Sequence, residues 1–140
     1  DANLIADTVP EVDIAYLDPP YNQHPYGSNY FMLNLICSYK RPVRISTVSG
    51  IPEDWKRSQY NSRLNSYSAL KELTEKLKAR FILVSFNSEG FIGKEELLAL
   101  LEEQGSVNIL ETKYNTFRAA RNLALRNIHT KEYLFLLEKR

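Results

Sequence analysis

A short run of β-forming residues at 12–17 (VDIAYL) ends abruptly on Asp18-Pro19-Pro20-Tyr21. An apolar run of that length suits a buried strand of a parallel sheet. Two prolines then forbid its continuation. Neither has an N–H for a ladder, each fixes φ near about −65°, and each drives the residue before it towards extended backbone. The chain must leave its sheet at a rigid point, with Asp18 at the strand's C-terminal end.

Downstream, strand and helix alternate. Residues 3–7 form a short amphipathic piece, and 22–27 hold Gly, Pro, Asn and His and read as loop. Ser28 can cap a helix over 29–39, with Tyr30, Leu33, Asn34 and Cys37 on one stripe, ending near Pro42. From Arg41 to Asn65 the sequence is irregular, broken by Pro42, Gly50 and Pro52, and its length suggests a binding loop. Ser66 or Ser68 can cap a helix to Ala79, and 81–86 (FILVSF) is a second buried strand. A turn at 87–90 leads to a helix over 93–103 closed by Gly105, then a third strand at 107–112. A basic segment, 115–130, precedes a final strand at 132–138 (EYLFLLE). The expected fold is α/β, a mostly parallel sheet with helices on both faces and an antiparallel C-terminal strand. Ligands of such sheets bind at the C-terminal ends of the parallel strands, where Asp18 falls.

Length and charge narrow the field. The chain has 140 residues, 44% of them hydrophobic, enough for one domain's core. Its net charge of +1 carries no global sign of a nucleic-acid binder, so any such contact rests on local clusters. Lys113, Arg118, Arg121, Arg126, His129 and Lys131 lie between Glu111 and Glu132 with no acid among them, and Lys40, Arg41 and Arg44 form a smaller group. Such runs can hold phosphates, and the cluster as a whole reads as a DNA contact, although solvated surface is the better reading of each side chain alone. The single Cys37 permits no internal disulfide and no cysteine-based metal site, reads as a small core residue, and fits a reducing, cytoplasmic setting. Histidine and acid spacing gives no metal site. No stretch approaches the roughly 18 apolar residues of a membrane span, and no signal segment is visible. The start at Asp1, without methionine, is expected of a piece of something longer.

The tetrapeptide has chemistry of its own. Proline carbonyls are pure acceptors, and a carboxylate beside one makes a two-acceptor cradle for an amino group bearing two hydrogens. Tyr21 offers a face on which a planar base can stack. An exocyclic amine of adenine or cytosine suits this set, and hydrogen bonds that draw density onto the amine help it attack a methyl electrophile without requiring a metal. A strand terminator with a capping aspartate is the competing reading of the same four residues.

The surrounding sequence adds a resemblance. Residues 14–35, IAYLDPPYNQHPYGSNYFMLNL, resemble the catalytic motif and following helix of the DNA adenine-specific methyltransferases of the Dam-like class. Residues 82–92 (ILVSFNSEGFI) look like that family's next core strand and turn, and 114–139 like its closing basic segment and terminal strand. The order is the same throughout. The resemblance implies a partial Rossmann-like methyltransferase sheet, S-adenosylmethionine as methyl donor, and adenine flipped out of double-stranded DNA as substrate. It further implies that Asp18 and the Pro19 carbonyl, with Pro20 holding the turn, accept hydrogen bonds from the adenine amine while Tyr21 stacks on the base. Asn22 and Tyr30 would line the pocket, and Tyr30 reads equally as a helix-packing aromatic.

One departure stands out. The family's glycine-rich cofactor turn, F-x-G-x-G after a strand, is missing here, as is its target-recognition region. The chain is thus expected to be the C-terminal part of a catalytic domain, inactive alone, completed by an N-terminal half or a complementary subunit. In that reading it serves a bacterial restriction-modification or orphan methylase. The same motif serves methyltransferases of RNA bases and of protein amides, and a non-catalytic interaction module is the third alternative.

Overall fold

The computed structural model describes residues 2–53, 57–115 and 129–140. Four strands form one sheet in the order β1-β2-β4-β3, with β1 Val12–Leu17, β2 Ala79–Asn87, β3 Gly105–Asn115 and β4 His129–Lys139. β1 pairs with β2 in parallel, from Val12 opposite Ala79 to Leu17 opposite Val84. β4 lies between β2 and β3 and runs antiparallel to both. One of three pairings is therefore parallel, and the expected mostly parallel sheet is corrected. The cause is topological. The crossover through the helix after β2 leaves a vacant place beside that strand, and the β3–β4 hairpin folds its second strand back into it. The antiparallel pairing expected for the last two strands is what the structure shows.

Among the described residues five α-helices accompany the sheet: α1 Ala2–Ile5, α2 Tyr26–Asn29, α3 Phe31–Ser38, α4 Ser66–Lys76 and α5 Lys94–Glu102. α4 buries Ser66, Ala69, Leu70, Leu73 and Thr74, spaced three and four apart, so one face meets the sheet. α5 does the same with Leu97, Leu100 and Leu101. Both helices join one core with Ile82, Val84 and Phe86 of β2 and Tyr133, Phe135 and Leu137 of β4. Each fully buried leucine there contributes about 1.5–3 kcal/mol by leaving water. The ends of these helices are satisfied locally. The Glu96 carboxylate accepts from the Gly93 N–H at the start of α5. Lys139, at the end of β4, donates to the carbonyls of Thr74, Glu75 and Leu77, which α4 leaves unpaired.

Because β-strand side chains alternate, the opposite face of the sheet carries Ile14 and Tyr16 of β1 and Leu110 of β3, which are 59, 61 and 70% exposed. Among the described residues both long helices pack on one face only, so the expectation of helices on both faces is also corrected. Three further expectations change. Cys37 is exposed, because α3 buries none of its eight residues. Ser28 does not cap that helix: its hydroxyl turns back to the Pro25 carbonyl, and α3 starts after Tyr30. Gly105 does not close α5 but opens β3.

At Gly105 a methyl group would overlap the Glu138 carbonyl of the paired strand. Gly105→Ala is expected to lower unfolding stability by roughly 2–3 kcal/mol. Gly93, with open space around it, should accept the same change within about 1 kcal/mol. Denaturant unfolding of the two variants measures the contrast.

Candidate functional site

β1 delivers Asp18 to the C-terminal edge of its pairing with β2, and the following turn is tied down at successive residues. The Tyr26 hydroxyl donates to the Asp18 carbonyl at 3.1 Å. The Phe91 N–H, in the turn after β2, donates to the Tyr21 carbonyl at 2.8 Å. The Asn61 amide donates to the Asn22 carbonyl at 2.9 Å. The Tyr21 ring meets the Phe86 ring edge-on, centroids 6.0 Å apart. Burial pushes the pKa of its hydroxyl up, against a hydrogen bond with the Asn87 side chain that lowers it. Arg63 lies over the Phe91 ring at 5.1 Å and braces the same turn.

These contacts leave a definite set of groups at the surface. Pro19 is buried, whereas Asp18 is exposed, and among the described residues no side chain pairs with its carboxylate. Asp18 stands on the wall between two hollows. One, of about 470 Å³, is lined by Asp18, Tyr26, Gly27, Tyr30 and Asn34. The other, of about 500 Å³, includes Asp18, Pro19, Pro20, Tyr26 and Arg57. The Tyr26 and Tyr30 rings lie 6.0 Å apart. Burial, and then the charge of Asp18, push the Tyr26 hydroxyl up to about 12, so it is a proton donor at any physiological pH. A rigid turn that shows a carboxylate beside two prolines, flanked by aromatic rings, can accept a hydrogen bond from a planar amine.

Of the residues singled out in the sequence, Asp18, Pro19, Pro20 and Tyr21 form one continuous turn. Tyr30 shares a hollow with Asp18, but it precedes α3 instead of lying in its stripe. Asn22 lines neither hollow; its side chain accepts from the His24 N–H and closes the local loop. Lys40, Arg41 and Arg44 are exposed just beyond α3. Lys113 is exposed on β3, opposite Lys131 of β4. Arg118, Arg121 and Arg126 lie outside the described residues. Tyr26, Asn61, Asn87 and Phe91 enter the site without any signal in the sequence. Asn61 is 39 residues from its partner, and nothing in the spacing announces such a bond.

An α/β sheet with this turn at the end of a parallel strand has the layout of a methyltransferase that acts on an amino group. Comparison with known proteins carries this further. The sequence model of the D12 class N6 adenine-specific DNA methyltransferases matches residues 1–100. The chain belongs to that family. It is 33% identical over 99% of its length to the Type II methyltransferase M.NlaIII of Neisseria lactamica. It is 32% identical over 91% to the Type II methyltransferase M.CviAII of Paramecium bursaria Chlorella virus 1. With the Type II methyltransferase M.FokI of Planomicrobium okeanokoites it shares 32% over 99%. The aligned region spans 41%, 37% and 22% of those relatives, respectively. No solved structure matches the chain.

The family uses S-adenosylmethionine. None of the chain's five glycines, at 27, 50, 90, 93 and 105, stands in the F-x-G-x-G pattern of a glycine-rich cofactor turn. Among the described residues no helix is long and apolar enough to cross a membrane.

One carboxylate ties β3 to both β4 and α5. Glu111 bridges Lys131 at 2.7 Å and Lys94 at 2.9 Å, and these bonds, Lys131 first, hold its pKa down to about 2. A pKa depressed on folding adds stability that is complete above the unfolded value, 4.5, and is lost as pH falls through the folded one. The stability difference between the protein and Glu111→Gln should therefore shrink as pH drops from about 4.5 to about 2. Urea midpoints across that range test this; a difference independent of pH would contradict it.

Proposed function

We propose that this chain is the base-binding part of a site-specific methyltransferase that transfers a methyl group from S-adenosylmethionine to the exocyclic amine of adenine in DNA. The observation that carries the reading is the turn at Asp18, whose carboxylate has no side-chain partner among the described residues, followed by two prolines at the end of a parallel strand, in a chain of this family. The adenine lone pair is delocalised into the ring, which makes the amine a poor nucleophile. Hydrogen bonds from its two N–H groups to the Asp18 carboxylate and the Pro19 carbonyl return electron density to the nitrogen. Pro20 keeps the turn rigid, and Tyr21 stacks on the flipped base. Asn22 holds the loop behind it, and Tyr30 faces the base across the first hollow. The methyl donor is bound mainly by residues outside this chain, so its own chemistry is left to them.

Double-stranded DNA is the proposed partner, with Lys40, Arg41, Arg44, Lys113, Arg118, Arg121 and Arg126 on its phosphates. The remainder of the enzyme, whether an N-terminal half or a separate subunit, is the second partner. The bare sheet face at Ile14, Tyr16 and Leu110, and the position of β1 at the sheet edge, support this. So does the length of the relatives. The setting is a restriction-modification system or orphan methylase of a bacterial cytoplasm.

In the full-length protein, Asp18→Ala is expected to lower methyl transfer to adenine by about a hundredfold or more. N6-methyladenine in plasmid DNA from expressing cells reads this out, and wild-type methylation by the variant would sink the role given to Asp18. RNA and protein amides offered in parallel should stay unmethylated. Neutralising Lys40, Arg41 and Arg44 together should flatten the dependence of DNA affinity on salt, by about one unit of slope for each phosphate that these cations neutralise.

A further inference from the structure

Asn61 lies in a single turn, Gln59–Asn61, which precedes α4, and is 9% exposed. Its amide makes two bonds of opposite sense. The oxygen accepts from the Ser58 N–H at 3.1 Å, closing its own turn. The nitrogen donates to the Asn22 carbonyl at 2.9 Å, across 39 residues of chain. The turn is itself rooted in the core: neighbouring Tyr60 is 4% exposed and its hydroxyl donates to Asn3 Oδ1 at 2.8 Å. Two consecutive carbonyls after the prolines are thus held from different elements, Tyr21 by the turn after β2 and Asn22 by the turn before α4. The first bond alone would leave the backbone free to swing about Tyr21.

We propose that Asn61 is a positioning residue of the methyl-transfer reaction, fixing the exit of the Asp18–Tyr21 turn so that carboxylate, carbonyl and ring keep one geometry towards the base. The inference rests on the base-binding reading above. A misplacement of the order of 1 Å at a reacting group costs about a hundredfold in rate. One neutral hydrogen bond, by contrast, is a small part of a domain's stability. The two roles therefore separate experimentally.

The test uses the full-length protein and unmethylated duplex DNA. Single-turnover methyl transfer is followed at saturating enzyme, where the rate does not depend on the folded fraction. Asn61→Ala is expected to lower that rate by about tenfold to a hundredfold, with the KM for S-adenosylmethionine within about twofold of wild type. Asn61→Asp retains the acceptor for Ser58 but turns a carboxylate oxygen towards the Asn22 carbonyl, so it should lose rate similarly and also lower Tm. If Asn61→Asp does not fold, Asn61→Ser takes its place in the same measurement. Unchanged single-turnover rates with only a lower Tm would overturn the proposal. Asp18→Ala is measured alongside. A slow Asp18→Ala with a fast Asn61→Asp refutes the role of Asn61 alone, whereas a fast Asp18→Ala refutes the base-binding reading.

Discussion

The register between β1 and β2 carries the site, because β1 has a neighbour on one side only among the described residues. Leu17 opposite Val84 places the end of β1 two residues short of Phe86, the ring on which Tyr21 rests edge-on. A slip of one residue would turn every β1 side chain to the other face and carry the turn away from Phe86, Asn87 and Phe91 together. The register is held by half-buried Val12, Ala15 and Leu17, which pack against the core. Three modest apolar contacts secure a six-residue strand, and the hydrogen bonds beyond the prolines supply the rest of the definition.

The sheet's two faces are in different physical states. One is closed by leucines of α4 and α5 at full burial. The other shows Ile14, Tyr16 and Leu110 to solvent, and α3 adds Leu33 and Ile36 at 57 and 67% exposure. Single exposed apolar side chains are ordinary, but a sheet face and a helix that are both apolar and both uncovered have a different meaning. They also explain where pattern and structure part company. The stripe of α3 reads as facing a core, and Cys37 as buried, because a hydrophobic pattern states which residues avoid water but not which polypeptide shields them.

Local features are legible in proportion to how local their causes are. The strand into Asp18, the crossover α4, the run around 81–86 and the final hairpin follow from proline stops, helical spacing and β-forming residues. The site's tetrapeptide is legible for the same reason: prolines impose geometry without help from elsewhere. The position of β4 between β2 and β3 is not, since strand order is decided by which edge is vacant when the hairpin folds. Nor are Tyr26, Asn61 and Phe91, whose hydrogen bonds go to backbone carbonyls that any residue possesses, two of them across long stretches of sequence. The basic segment illustrates a further gap. Lys131 reads as one more cation in an acid-free run, yet in space it is paired with Glu111 at the run's border.

Tyr26 decides which acceptors the turn presents. Three oxygen groups cluster where β1 ends: the Asp18 carbonyl, the Asp18 carboxylate and the Pro19 carbonyl. The Tyr26 hydroxyl occupies the first at 3.1 Å. Because burial and the neighbouring carboxylate push that hydroxyl up to about 12, it remains a donor and cannot become a competing phenolate in the working range. The prolines have no N–H, so neither backbone nitrogen can donate to the remaining oxygens. Among the described residues no hydrogen bond reaches the Asp18 carboxylate, so it stands open beside the prolines. In the proposed base-binding reading, selectivity for a group with two hydrogens follows from the engagement of the Asp18 carbonyl as much as from the presence of the aspartate.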